Sequence, residues 1–241
     1  MRNPRIYTDQ PLVKDQVVEL TDSAANHVGK VLRMRPEEPL ILFNGQGASW
    51  QGRIKFVAKK TVAVALEAEM SLVTESPLKV HVGQSLSRGE RMDYAIQKAT
   101  EMGVTEITPL FSERCEVRLN AERQEKRVRH WQQIAISACE QCGLNRVPVI
   151  HSPEPVADWI AKQKAGLKFV LHHRTDKKLE GFIPPETVSL LIGPEGGLTQ
   201  EEITRAESSG FHALALGPRV LRTETAPVTA LSVMQYLWGD L

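Results

Sequence analysis

Two segments decide how this chain is read: Leu191-Ile192-Gly193-Pro194-Glu195-Gly196-Gly197-Leu198 and Leu216-Gly217-Pro218-Arg219-Val220-Leu221-Arg222-Thr223-Glu224-Thr225-Ala226. Each starts at the end of a short apolar run, Val188 to Ile192 in the first and Ala213 to Leu216 in the second. Apolar runs of that length, bounded by Gly and Pro, read as buried strands. A helical pattern follows each loop. Thr199-Gln200-Glu201-Glu202 has the spacing of a capping box, and residues from about Glu224 to Leu237 read as a last helix. In open α/β sheets ligands bind outside the carboxyl ends of the strands. Glycine there lets a ligand come close to the backbone; Gly196 is read as a position where a β-branched side chain would fill the ligand's space or forbid the backbone angles. Neither loop ends in Gly-Lys-Ser/Thr or contains G-x-G-x-x-G, so neither is a Walker loop or a dinucleotide fingerprint. A single loop of this kind reads equally well as a tight strand-to-helix turn. Two Gly-Pro loops, each after a strand, favour a binding site.

Working outward, the α/β pattern continues upstream. Val80, Val82 and Leu86 suggest a strand, and Met92, Ala95, Ile96, Ala99 and Met102 follow helical spacing with Gly103 as the stop. Ile107 to Phe111 and Leu167 to His172 are further strand candidates. A long helix is expected from Ala121 to Cys142, capped by Asn120, with Val128, Trp131, Ala135, Ala138 and Cys142 on one face. Strands alternating with helices imply a mostly parallel sheet covered on both faces. The N-terminal third reads differently. Leu40 to Phe43 is followed by the turn pair Asn44-Gly45, and Val62, Val64 and Leu66 alternate along one strand face. A short helix capped by Asp22 or Ser23 would bury Ala24, Val28, Val31 and Leu32. Thr74-Glu75-Ser76-Pro77 reads as a linker, which divides the chain into a mainly β domain, 1–72, and an α/β domain, 73–241.

The chain has 241 residues and a formal net charge of +1, so nucleic-acid binding would have to rest on a local patch rather than on bulk charge. The basic residues of the first domain do cluster: Arg2 and Arg5, then Lys30, Arg33 and Arg35. No stretch is long and apolar enough for a membrane span. The N-terminal residues lack the apolar core of a signal peptide. With three cysteines no disulfide framework is expected, and the cytoplasm is the default compartment. Cys139-Glu140-Gln141-Cys142 is a C-x-x-C pattern, but a structural zinc wants four ligands; buried helix cysteines are the better reading. His172 and His173, adjacent at a strand end, point to opposite faces and do not pair on a metal. No metal is expected.

Taken together, the two loops resemble the signature of the SPOUT superfamily of methyltransferases. Within it they are most similar to the family that methylates N3 of a uridine in small-subunit (16S) ribosomal RNA. Smaller pieces agree: Pro4-Arg5-Ile6-Tyr7, His27-Val28 to Val31-Leu32-Arg33, Ser87-Arg88-Gly89-Glu90-Arg91-Met92, Ser112-Glu113-Arg114, and Ala138-Cys139-Glu140-Gln141-Cys142-Gly143 to Arg146. Pro227 departs from the pattern, but the first turn of a helix tolerates proline. The resemblance implies a small PUA-like β-barrel over 1–72 that helps bind RNA. It also implies a SPOUT domain over 73–241 whose last segment threads a trefoil knot, and a homodimer with each active site at the subunit interface. The implied cofactor is S-adenosyl-L-methionine, held by Leu171, His172, Ile192, Gly193, Glu195, Gly196, Gly197, Leu216, Gly217, Pro218, Leu221, Arg222, Thr223 and Thr225. The implied partner is 16S rRNA, in the assembled small ribosomal subunit.

Methylation at N3 requires loss of the imide proton, because the neutral nitrogen has no available lone pair. Catalysis is then positioning plus charge stabilisation. Arg222, with Arg219 beside it, is the candidate for stabilising the uridine anion. Glu224 and Glu140 are candidates for accepting the proton or orienting an arginine. Arg5, Tyr7, Arg33, Arg35 and Arg88 are the candidate RNA contacts. Two other readings stay open at this point: a non-catalytic rRNA-binding or assembly factor that keeps the fold, and a SPOUT enzyme acting on another RNA.

Overall fold

In the computed structural model of the chain, residues 3–70, 75–172, 175, 179 and 181–241 are described. Arg2, Thr74 and His173 lie outside the described residues. The chain forms two compact units, 1–74 with 136–147, and 75–135 with 148–241. The division therefore falls two residues beyond the sequence-based boundary. The first unit also takes in a segment that sequence reading assigned wholly to the second domain.

The first unit contains β1 (Arg5–Tyr7), β2 (Val17–Thr21), α1 (Asp22–Asn26), β3 (Pro39–Phe43), β4 (Ser49–Val57) and β5 (Thr61–Met70). The sheet order is β1-β3-β4-β5-β2. β1 runs parallel to β3 and the other pairs are antiparallel. Alternation places Val62, Val64 and Leu66 on one face, where they bury with Ile6, Leu40, Leu42 and Ile54. Register shifts at Gln51/Gly52 and Ile54/Phe56 bend β4 against β5, as bulges do. The turn after Phe43 is a five-residue connection, 44–48, with Gly45 at φ 78°.

The short helix departs from expectation. Asp22–Asn26 is α-helical, but His27–Val31 is a π turn, closed by Leu32 N–H donating to the His27 carbonyl. The wider turn rotates the side chains that follow. Val28 and Ala25 are buried and Ala24 is half-buried, whereas Val31 and Leu32 face solvent.

Residues 136–147 are tied into this unit by side chains. Arg5 donates to the Leu144 carbonyl and to the Asn145 side chain. The Tyr7 backbone N–H donates to a Glu140 carboxylate oxygen at 3.0 Å, and Asn145 Nδ2 donates to Ser49 Oγ. These bonds fix where two of the candidate residues stand. Arg5 is buried, with its guanidinium bonded to Leu144 and Asn145. Glu140 holds the β1 backbone. Burial pushes its carboxyl above the usual value, against the lowering effect of the Tyr7 N–H.

The second unit is built on β6 (Lys79–Ser85), β7 (Glu106–Phe111), β8 (Val149–Ile150), β9 (Glu154–Pro155), β10 (Leu167–Leu171), β11 (Thr187–Ile192) and β12 (His212–Leu214). All are parallel, in the order β12-β10-β11-β6-β7-β8, with β9 pairing further along β7. Its helices are α2 (Arg91–Glu101), α3 (Ala121–Cys142, which continues into the first unit), α4 (Val156–Lys162), α5 (Gln200–Ser208) and α6 (Thr225–Trp238). α2 packs with α6, and α4 with α5. α5 opens with the expected capping box between Thr199 and Glu202. Pro227 is buried in the first turn of α6. Trp159 of α4 lies against the sheet at Gly83, where a Cβ would stand 2.8 Å from the indole. Its Nε1–H donates to His81 Nε2 at 3.3 Å.

That contact leaves His81 largely buried. Desolvation lowers its pKa from 6.5 to about 4, with Glu106 pulling the other way and His151 adding to the lowering. Above pH 6.5 the ring is neutral in both folded and unfolded chains. As pH falls from 6.5 toward 4 the unfolded chain takes up a proton that the folded chain resists, so stability is lost across that window. His81→Gln should remove on the order of 1–2 kcal/mol of the decline between pH 7 and pH 5. Urea unfolding of both proteins at the two pH values tests this; equal declines would mean that His81 titrates as it does in the unfolded chain.

Candidate active site

Three neighbouring strands, β12, β10 and β11, end on the same edge of the parallel sheet, and the loops that leave them form a cavity of about 520 Å³. After β10 the chain passes through Leu171 and His172, whose N–H donates to the Leu214 carbonyl at 3.2 Å. After β11 it turns through Gly193 to Gly197, with Gly197 N–H donating to the Pro194 carbonyl. After β12 it runs without regular structure until α6, whose first amides, those of Thr225 and Ala226, donate to the Arg222 carbonyl. The expected strand Ala213 to Leu216 thus stops at Leu214, and Ala215 and Leu216 become wall.

The two glycine loops are fastened together. Thr223 Oγ1 donates to the Gly193 carbonyl at 2.7 Å, and Gln84 Nε2, at the end of β6, donates to Thr223 Oγ1 at 2.9 Å. Gly193 is required by this packing, because a Cβ there would lie 2.9 Å from the Leu198 backbone nitrogen. Gly197 is required by its φ of 69°. Gly196 is under neither constraint. Its Cβ would make ordinary contact with Arg114 at 3.4 Å, so the backbone-angle reason for a glycine at 196 does not apply.

Charge is ordered at the mouth. Arg91 Nη1 donates to Glu195 Oε1 at 2.8 Å, and the Arg88 backbone N–H donates to the same oxygen. Burial alone would raise the Glu195 carboxyl, but the backbone N–H groups of Glu195 and Arg88 and the Arg91 guanidinium outweigh it and hold it below the usual carboxylate value. Arg91 Nε also faces Glu224 Oε1 at 4.0 Å. Glu224 is the N-cap residue of α6; its Oε2 is buried without a hydrogen-bond partner among the described residues. Arg114 Nη1 donates to the Gly196 carbonyl at 3.0 Å.

Two family models match the chain: an RNA methyltransferase domain over residues 74–235 and an RNA methyltransferase PUA domain over residues 20–67. The ribosomal RNA small subunit methyltransferase E of Buchnera aphidicola subsp. Schizaphis graminum is 36% identical over 242 residues, spanning 100% of this chain and 98% of that protein. The chain belongs to this RNA methyltransferase family. Among solved structures of the family, a ribosomal RNA small subunit methyltransferase E from Neisseria gonorrhoeae, bound to S-adenosylmethionine, superposes with a TM-score of 0.94. It is 39% identical, and the match covers 100% of both chains. A putative methyltransferase from Legionella pneumophila, also solved with bound S-adenosylmethionine, gives 0.97 at 44% identity, again over 100% of both chains.

Of the residues that resemblance assigned to the cofactor, Leu171, His172, Ile192, Gly193, Glu195, Gly196, Gly197, Leu216, Gly217, Leu221, Arg222 and Thr223 line the cavity. Pro218 and Thr225 flank it in sequence but are not among its lining residues. Glu224 and Arg219 line it; Glu140, in the first unit, does not. Arg33 and Arg35 are exposed, Arg33 at φ 53°. Tyr7 is half-buried, and Arg88 pairs with Glu116 at 2.6 Å. Sequence reasoning gave no role to Arg91, Arg114 or Gln84, although Ser87-Arg88-Gly89-Glu90-Arg91-Met92 and Ser112-Glu113-Arg114 both stood out as segments. Cys139 is a buried helix residue, its thiol pushed up to about 12 by burial. One cluster of metal-ligand chemistry occurs among the described residues: His81, Glu106 and His151. Internal bonds occupy it, since His151 Nε2 meets Glu106 at 2.7 Å and His81 Nε2 meets Thr108 Oγ1 and the Trp159 N–H.

Gly193→Ala should cost about 1–3 kcal/mol of folding stability, because loop backbone must move, while Gly196→Ala should stay within about 0.5 kcal/mol of the parent. Denaturant unfolding of the two variants checks the order; equal costs would mean that the loop around Gly193 has room to spare.

Proposed function

We propose that this chain transfers a methyl group from S-adenosylmethionine to N3 of a uridine in 16S rRNA of the small ribosomal subunit. The observation that carries the reading is the cavity itself. Two glycine loops, from strands that flank β10, are clasped by Thr223, with an exposed arginine and a half-buried glutamate on the residues either side of it. The cavity's size falls within the range of roughly 300–1,000 Å³ usual for small-molecule sites. Leu171, Ile192, Leu216 and Leu221 offer an apolar bed for an adenine ring, and the loop backbone offers hydrogen-bonding groups to its edge. S-adenosylmethionine, when bound, supplies an electrophilic methyl group.

The chain's own residues supply the rest. Glu224 is the proton acceptor for uridine N3–H. It has a buried oxygen not engaged by the described residues, and Arg91 keeps positive charge beside it. The Arg222 side chain makes no hydrogen bond or ion pair with the described residues, so its guanidinium is free to meet the uracil O2 or O4 as charge builds there. Glu195 holds Arg91 in place through a bond shorter than the Arg91–Glu224 approach. The exposed Arg33 and Arg35 suit RNA phosphates.

The same reading includes the SPOUT trefoil knot, threaded by the last segment of the chain, a homodimer with its sites at the subunit interface, and a cytoplasmic location. Tyr94 on α2 and Val233, Tyr236 and Leu237 on α6 are exposed apolar side chains on two helices that pack together. A second copy would cover them. Among the described residues no helix is long and apolar enough to cross a membrane.

Arg222→Ala should lower the single-turnover methylation rate about a hundredfold at saturating RNA and cofactor, with little change in RNA affinity. Arg33→Ala with Arg35→Ala should leave that rate alone and reduce the log–log salt slope of RNA binding by roughly 0.7–0.9 for each phosphate that the two arginines neutralise. Single-turnover assays on small ribosomal subunits and salt-titrated binding separate the two roles. A wild-type rate for Arg222→Ala would place the anion's stabilisation elsewhere, and an unchanged slope would make the basic cluster a solvated face.

A further inference from the structure

We infer that Gln84 is a positioning residue for methyl transfer, acting as an obligatory hydrogen-bond donor that sets the direction of the clasp between the two cofactor loops. The inference rests on the methyltransferase reading of the cavity for its activity readout.

Gln84 is the next-to-last residue of β6, paired in register with Ile192 of β11, and is almost wholly buried. Its Nε2 faces two acceptors, Thr223 Oγ1 at 2.9 Å and the Ser85 carbonyl at 3.3 Å. Its Oε1 is buried with no partner among the described residues. An unpaired buried acceptor is costly. Turning the amide over would be worse, since oxygen would then face the Ser85 carbonyl and could bond Thr223 only by taking the proton that Thr223 gives to Gly193. The orientation that leaves Oε1 unpaired is therefore the one that keeps an N–H aimed at Thr223.

The direction matters because a threonine hydroxyl has one proton. The Gly193 carbonyl can only accept, so that proton goes to Gly193, at 2.7 Å. Thr223 Oγ1 must then receive from its other neighbour, and Gln84 is that donor. The chain of donation runs one way: Gln84 to Thr223 to Gly193. Its middle member lies between Arg222 and Glu224, the two residues given chemical roles above. Reversing the chain frees Gly193 from Thr223 and releases the segment that carries both.

Gln84→Glu tests this with almost no change of shape. As a carboxylate, residue 84 can only accept. The Thr223 proton turns toward it, and the bond to Gly193 breaks. As a neutral acid it has an O–H to donate, and the original direction returns. The single-turnover rate of Gln84→Glu relative to wild type should therefore be low at about pH 8.5 and rise on acidification, by up to tenfold per pH unit until the carboxyl is protonated. A purely structural role would not produce a rising ratio. Should Gln84→Glu fail to fold, a cycle of Gln84→Leu, Thr223→Val and the double variant decides the matter by calorimetric affinity for S-adenosylmethionine. Each single change should weaken it tenfold or more, and the double change no more than the worse single. A flat rate ratio with pH, or effects that multiply in the cycle, overturns the role of Gln84. Absence of methylation and of cofactor binding in the wild-type protein would instead overturn the proposed function and is read separately.

Discussion

A single hydroxyl proton, given by Thr223 to the Gly193 carbonyl across 2.7 Å, joins loops from two strands that are not adjacent in the sheet. Parallel strands bring β12, β10 and β11 to one edge, but a shared edge does not make a cavity. The segment 215–224 has no regular structure to hold it. Its position comes from Thr223 near its end and from the Arg222 carbonyl, which receives the first amides of α6. Close packing of Gly193 against the Leu198 amide fixes the other loop. Side chains as different as Arg222, Glu224 and Leu221 thereby come to face one volume.

The electrostatics of the mouth follow from the same arrangement. Arg91 reaches Glu195 closely and Glu224 at a longer distance, so it satisfies the first and orients the second. Arg114 is committed to the Gly196 carbonyl. The guanidinium of Arg222, alone among these three, has no protein partner among the described residues. An unpaired guanidinium beside a carboxylate with one unengaged oxygen suits a reaction in which a proton leaves one side of a ring as negative charge spreads to the other.

Much of this was legible in sequence, for local reasons. Asn120 followed by a periodic run ending at Gly143 placed the long helix at Ala121–Cys142, and the Arg123 N–H does donate to Asn120 Oδ1 at 2.9 Å. Thr199 and Glu202 announced α5 through bonds that span three residues. What escaped depends on distant partners. Nothing near Arg5 or Glu140 signals that they hold residues 136–147 to β1, across more than 130 positions. Nothing near Gln84 signals Thr223, 139 positions away. The π turn at His27–Val31 escaped because apolar spacing assumes an α pitch, and one wider turn puts Val31 and Leu32 on the solvent side. The burial of Arg5 escaped for a related reason: a basic residue in sequence carries no mark of whether a carbonyl and an amide oxygen await it inside the fold.

If the loops leaving β10, β11 and β12 hold the methyl donor, its binding must shield their backbone amides. Hydrogen–deuterium exchange of the protein with and without S-adenosylmethionine tests it most directly, because exchange reads the backbone amides of those loops without relying on activity. Exchange should slow at residues 192–198 and 215–226, with β4 and β5 of the first unit unchanged. Protection confined to the first unit, or no change at the two glycine loops under saturating cofactor, would contradict it.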